Sequence, residues 1–315
     1  MVRISTRFEK RKSYSVLLLT VWKRIWDNSV IEWPEQLVKD IARRRAIIML
    51  GSGISKNSIG NDGARPPTWG EFMAEAFEKV PPKSRHIRNA LKSGDYLSAC
   101  EWIRGRMDED WNPYLISKFL TPEYRPNKLH ELIFLLDTSV YVTPNFDKIF
   151  DNYVIEQTHG TTIVKTYYDD DVQQLIRAGG RVILKVHGTI DAPDRMIFGR
   201  GDYASARIKY AAFYYLIDAL LLTNTFLMLG CGLNDPDFQL MFENFAYRFP
   251  NSQPHYMAYA ESSHEEVEAL LRDTRNLKFL KYSKAHDHKE LEQSLETLVA
   301  EVEAKRVEIG ANSSW

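Results

Sequence analysis

Ile47-Ile48-Met49-Leu50-Gly51-Ser52-Gly53-Ile54-Ser55, IIMLGSGIS, runs an apolar segment straight into a glycine-punctuated loop. The apolar part has the length of a strand and no polar alternation, the pattern of a strand buried on both faces. Gly51 and Gly53 remove side chains, so backbone N–H groups there can approach a phosphate. The dinucleotide fingerprint Gly-x-Gly-x-x-Gly is broken, because Lys56 stands where its third glycine belongs, and the Gly-Lys-Ser/Thr of a P-loop is missing as well. Alone, the stretch leaves two readings open: a phosphate cradle, or a tight turn after a buried strand.

From residue 46 outward, short β-rich runs alternate with helical patterns. This predicts an α/β fold, a doubly wound, largely parallel, Rossmann-like sheet with helices on both faces. Strands are expected near 46–50, 140–143, 162–165, 182–186, 225–229, 255–260 and 278–282. Thr68-Trp69-Gly70-Glu71 and Ser263-His264-Glu265-Glu266 read as capping boxes, and Asp235-Pro236 as a capping carboxylate before a first-turn proline. The interval 80–138 lacks a strand pattern and reads as a small helical insertion, with helices at Tyr96 to Arg106 and His130 to Leu136. The expected organisation is an N-terminal helical extension over 1–43, a main domain over 44–300 and a C-terminal tail over 301–315.

The 315 residues are 44% hydrophobic and 26% charged, enough for at least one full core. Forty-one basic residues nearly cancel 42 acidic ones, so no global field draws the chain to nucleic acid or to a membrane surface. The two cysteines, Cys100 and Cys231, form no Cys-x-x-Cys pair, which argues against a disulfide framework or a four-thiolate zinc site and fits a reducing, cytoplasmic compartment. Basic residues before Val16–Trp22 imitate a secretory signal, but no small-residue cleavage site follows, and the run is too short to span a membrane. Residues 13–27 instead read as an amphipathic helix carrying Leu17, Leu18, Val21 and Ile25, which packs on its own domain or contacts a partner.

Three further loops follow expected strands: Thr143-Pro144-Asn145-Phe146-Asp147, Lys185-Val186-His187-Gly188 and Gly230-Cys231-Gly232-Leu233-Asn234-Asp235. In a parallel sheet the C-terminal strand ends share one edge, and ligands bind where the strand order reverses. Four polar or glycine-rich loops would then line one crevice. Each also has a plain structural reading: Asn145 and Asp147 as helix caps, Gly230 and Gly232 as packing positions, and His187 as a satisfied structural histidine. Lys185 reads either as a strand-end surface charge or as a phosphate contact. Trp69 and Trp102 read as core residues, and His286-Asp287-His288 as solvated surface rather than a metal site.

Taken in order, GSGIS, Pro67-Thr68-Trp69, TPNFD, KVHG followed by Gly201-Asp202-Tyr203, and GCGLND resemble the sirtuin-like domain of prokaryotic defence proteins. The resemblance spans about residues 44–300. It implies a sirtuin-type NAD-binding fold, NAD+ as ligand, and activity dependent on Asn145 and His187. Two departures stand out. Deacylating sirtuins carry two Cys-x-x-Cys pairs and an Ile-Pro-Asp-Phe-Arg segment, neither of which is present here. Deacylation is therefore the weaker reading, and cleavage of NAD+ the stronger.

That cleavage suits these residues, because the leaving nicotinamide is already a pyridinium and departs neutral, so no general acid is required. Asn145 would orient a ribose hydroxyl or a water, and His187 would accept a proton. Gly51, Ser52, Gly53 and Ser55 would hold the pyrophosphate, with Thr143 beside them. Asp147 would bond ribose or carboxamide, and Gly230, Gly232 and Asn234 would line the adenosine side. No metal is expected. Uncontrolled loss of NAD+ would harm the host, so the expected NAD+ glycohydrolase of antiphage defence is gated, through a homo-oligomer and a separate regulatory partner protein. The alternatives are an NAD+ or ADP-ribose sensing module and, less favoured, a deacylase or ADP-ribosyltransferase.

Overall fold

A computed structural model describes residues 31–82, 84–232, 235–260 and 264–312. Helix α1 (Glu35–Ala42) leads into β1 (Ala46–Leu50) and the one-turn α2 (Ser52–Ser55). Then come α3 (Trp69–Lys79), α4 (Arg85–Ser93), α5 (Tyr96–Met107), α6 (Trp111–Phe119) and α7 (Lys128–Leu135). The next elements are β2 (Val140–Thr143), α8 (Ile149–Gln157), β3 (Ile163–Thr166), α9 (Val172–Arg177) and β4 (Val182–Lys185). They are followed by α10 (Arg200–Lys209), α11 (Ala211–Thr223), β5 (Thr225–Leu229) and α12 (Pro236–Arg248). The chain closes with β6 (His255–Tyr259), α13 (Glu265–Arg275), β7 (Leu277–Lys281) and α14 (Ala285–Asn312).

The seven strands form one parallel sheet in the order β3-β4-β2-β1-β5-β6-β7. The central strands are buried throughout, so they read as apolar runs, but their side chains still divide by face. Ile48, Leu50, Tyr141, Ile183, Leu227 and Leu229 enter one core, which α1, α7, α8 and α14 cover. Ile47, Met49, Val142, Leu184, Phe226 and Met228 enter the other, beneath α10, α11 and α12. The edge strands β3 and β7 are more exposed.

A third core joins α3, α4, α5 and α6 into a helical module beside the sheet. Its aromatic centre is Phe198, whose ring centroid lies 4.4 Å from that of Phe146 and 5.3 Å from that of Trp69. The helical insertion expected at 80–138 therefore starts earlier, at α3, while α7 belongs to the sheet layer. Thr68 caps α3 in a capping box with Glu71, as the sequence indicates.

Other expectations need correction. Trp102 is 41% exposed and meets His86 edge-on, instead of lying in a core. Ile31, Trp33, Leu37 and Ile41 belong to the first core, so this part of the N-terminal extension is built into the domain. Residues 301–312 continue α14 as helix, with Val302 fully buried, because Leu291, Leu295, Leu298 and Val302 keep helical spacing across the sheet face. The helix read at 13–27 and the cap Ser263 lie outside the described residues. Among the described residues no helix is long and apolar enough to cross a membrane.

Candidate active site

The four loops singled out above follow β4, β2, β1 and β5, which are consecutive neighbours in the sheet. Their C-terminal ends form one uninterrupted edge. The strand order reverses beside β1, since β2 lies on one side of it and β5 on the other.

The β1 and β5 loops pack backbone against backbone. Gly51 N–H donates to the Leu229 carbonyl at 2.9 Å, and Gly53 N–H to the Gly230 carbonyl at 3.0 Å. Gly230 has a left-handed backbone (φ 64°), and a β-carbon there would lie 2.6 Å from Ile54 N. The expectation that the Gly51 and Gly53 donors face a phosphate is corrected: both are engaged by the neighbouring loop. Ser52 is half-buried, Gly53 and Gly232 are exposed, and nothing lies within 4 Å of a β-carbon built on Gly232. Leu233 and Asn234 lie outside the described residues, so the structure does not place Asn234.

The β2 loop is fixed from several directions. The Thr143 hydroxyl donates to Leu50 O at 2.8 Å and accepts from Asn145 N at 3.0 Å, tying the loop to β1. The Asn145 side chain donates through Nδ2 to Ser55 Oγ at 3.2 Å. Ser55 is buried, so it orients Asn145 rather than facing a pyrophosphate. Asp147 is also buried, and its carboxylate accepts from Ile149 N at 3.0 Å. It stands one residue before the N-cap, Lys148, and bonds the first N–H of the helix from there. Lys185 is neither a surface charge nor a phosphate contact: it is fully buried and paired with Asp151 at 2.8 Å.

His187 stands at the end of β4 and is 3% exposed. Register pairs Thr143 with Lys185, so Asn145 and His187 each stand two residues past a matched pair on neighbouring strands. The following Gly188 has φ 85°, and a β-carbon there would lie 2.8 Å from Arg195 O. His187 Nε2 is 3.6 Å from Asp235 Oδ2 and 3.9 Å from Asp237 Oδ2, beyond hydrogen-bond length but close enough to attract the ring whenever it carries a proton. Asp235 accepts from Tyr203 Oη at 3.2 Å and caps α12 through Asp237 N and Phe238 N. Asp237 accepts from Tyr214 Oη at 3.2 Å and is ion-paired with Arg207. Burial raises the Asp237 carboxyl above the usual carboxylate range, with the charges of His187 and Arg207 pulling it back. Burial likewise holds the Tyr203 phenol well above its ordinary value, which keeps it a donor.

Asp237, Tyr214 and Arg207 carry no motif, and nothing in the sequence marks them as neighbours of His187. Asp235 reads there only as a cap. An acidic pair in the first turn of a helix is ordinary dipole complementarity, so the only available signal was the position of that turn directly after GCGLN.

On the other side of the GSGIS loop lies a cavity of about 390 Å³, lined among others by Gly53, Lys56, Gly230, Tyr259, Tyr282 and Lys284. That volume falls within the range of small-molecule sites. Asp287 and His288 also border it, on a left-handed stretch at the start of α14. There Asp287 pairs with Arg65 at 3.2 Å, and His288 Nδ1 meets Tyr282 Oη at 3.2 Å. His286 and Asp287 are exposed, as the solvated-surface reading expects, but the backbone over His286–His288 is left-handed and not helical. Among the described residues, no three or more His, Cys, Asp or Glu side chains are grouped as a metal ion would require.

A seven-stranded parallel sheet flanked by helices, with glycine loops that close on one another at the switch point, is consistent with a Rossmann-like SIR2-like fold. Residues 139–280 match the family model for the SIR2-like domain. The chain is similar to the NAD(+) hydrolase ThsA of Acinetobacter baumannii (strain 532279), 26% identical over 231 residues, covering 71% of this chain and 44% of the relative. It is also similar to the NAD(+) hydrolase ThsA of Enterococcus faecium, 28% identical over 224 residues, covering 69% and 43%. Defense-associated sirtuin 2 of Bacillus subtilis is 20% identical over 224 residues, covering 68% and 20%. The chain spans less than half the length of each of these curated relatives.

Proposed function

We propose that the chain is an NAD+ glycohydrolase, releasing nicotinamide and ADP-ribose as a gated effector of antiphage defence. The observation that supports this reading is the β2–β4 register, in which Asn145 and His187 each follow a matched strand end on neighbouring strands by two residues. The names of the relatives, NAD(+) hydrolase and defense-associated sirtuin, support it.

In this reading the adenosine half of NAD+ enters the 390 Å³ cavity. The pyrophosphate crosses Ser52 and Gly232, and the nicotinamide ribose reaches Asn145 and His187. Asn145, with one N–H engaged by Ser55, presents its amide oxygen and second N–H to a ribose hydroxyl or to water. The glycosidic electron pair leaves with the pyridinium, which departs as neutral nicotinamide. Water adds to the anomeric carbon, and His187 takes its proton. Asp235 and Asp237 face the ring and stabilise the imidazolium that results. Gating through a homo-oligomer and a separate regulatory partner, in the cytoplasm, completes the proposal.

The test is nicotinamide release from NAD+ by the purified chain, alone and with proteins encoded beside it, compared with Asn145→Ala and His187→Ala. Release lost in both folded variants is the expected result. Release unchanged in both would overturn the site.

A further inference from the structure

Lys185 and His187 lie two residues apart at the end of β4, and the Lys185 side chain is fully buried. Its ammonium donates to the main-chain carbonyl of Asp147 at 2.6 Å and to Asp151 Oδ2 at 2.8 Å. Both acceptors lie on the chain that leaves β2, one within TPNFD and one in the first turn of α8. A single side chain thus ties the loop carrying Asn145 to the strand carrying His187.

Fold stability alone gives little reason for such a pair. Two charges taken out of water lose hydration that their mutual attraction only partly restores, and apolar replacements of similar volume hold a fold equally well or better. Packing holds the loop at Phe146, which is buried against Phe198, but not beneath Asn145. Asn145 borders a small cavity of about 10 Å³ of mixed lining, with Leu50, Ile54 and Phe150 beside His130, Asp151 and Lys185. Among the described groups, the buried His130 Nε2 there has no hydrogen-bond partner. Besides the packing of Phe146 and the bond from Ile190 N to its carbonyl, the loop is held by polar side chains: Thr143 and Ser55 from the β1 side, and Lys185 from the β4 side.

We propose that Lys185, backed by Asp151, is a positioning residue that locks the TPNFD loop onto β4 and so sets Asn145 relative to His187. The consequence for turnover rests on the reading of that pair as the reacting residues. Removing the tether leaves the ligand cavity intact, since Lys185 and Asp151 do not line it. The effect should therefore fall on the chemical step and not on binding.

Lys185→Met alone strands a buried carboxylate and can fail to fold for that reason, so the informative variant is Lys185→Met/Asp151→Leu in the full chain. Two readouts are taken on it, after its urea midpoint is compared with that of the wild type. In hydrogen exchange followed by mass spectrometry, peptides covering 143–150 should exchange about ten-fold faster, with β1 and β5 peptides unchanged. In nicotinamide release, kcat should fall about 100-fold while KM for NAD+ stays within about three-fold. Wild-type exchange over 143–150 overturns the tether, whatever happens to turnover. Faster exchange with wild-type kcat overturns its positioning role. If the wild-type chain and its partners release no nicotinamide, the hydrolase reading fails, and the exchange readout alone decides whether Lys185 holds the loop.

Discussion

Gly51 and Gly230 meet backbone to backbone: a β-carbon on Gly51 would stand 2.2 Å from the Gly230 carbonyl oxygen. Neither contact atom is the end of a flexible side chain, so one loop must move for a larger residue to fit. Gly51→Ala and Gly230→Ala are expected to destabilise the fold by about 2–4 kcal/mol, Gly230 through its left-handed φ as well. Gly232→Ala, with open space around it, should leave the urea midpoint unchanged. Equal effects from all three substitutions would contradict this packing.

Asp235→Asn separates the two tasks of that residue. Asparagine caps a helix about as well as aspartate, so the melting temperature should change little. The negative charge 3.6 Å from His187 Nε2 disappears, and with it much of the stabilisation of a protonated ring. Nicotinamide release should fall by about ten-fold or more, mostly in kcat. Wild-type turnover in a normally folded variant would show that the carboxylate is a cap and nothing else.

Stability should fall on mild acidification. Burial pushes His130 and His255 down to about 4, from an ordinary value near ~6.5 in an unfolded chain. Between these limits the unfolded state binds more protons than the folded one. The contribution is therefore complete above about pH 6.5 and is lost as pH falls toward about 4, by up to about 3 kcal/mol per histidine. Carboxylates titrate in the same range and are common to both proteins when wild type is compared with His255→Gln. Urea midpoints measured from pH 7 to pH 5 should decline less steeply in the variant. Parallel curves would mean that His255 titrates normally.

Phe198 joins the helical module to the TPNFD loop, with Trp69 and Trp111 on one side and Phe146 on the other. Phe198→Ala should cost about 3–5 kcal/mol, as for other fully buried rings. A reduced dependence of stability on urea would indicate that the module unfolds separately from the sheet. A midpoint within error of wild type would refute the linkage.

The strands were legible because burial on both faces leaves apolar runs such as Ala46–Leu50 and Phe226–Leu229 with clear ends. The loops were legible because glycine, asparagine and histidine stand out beside such runs. What each residue touches was not. Ser55 reads as a phosphate ligand until Asn145, ninety residues away, is seen to point at it. Lys185 ends an apolar strand, and its sequence cannot tell whether the charge is solvated or paired with Asp151 inside. Asp237 meets His187 although α12 follows β5, which β2 and β1 separate from β4, a long-range contact that local patterns do not encode.

Strand order also bears on synthesis. β1 is made some 180 residues before its neighbour β5, and the backbone contacts that shape the first glycine loop come from Leu229 and Gly230. Until the β5 segment has left the ribosome, Gly51 and Gly53 lack the partners that hold them. His187 likewise lacks its two carboxylates until Asp235 and Asp237 follow. A partly made or truncated chain therefore carries the motifs without the site, so whatever this edge of the sheet does to its ligand begins only after translation has passed α12.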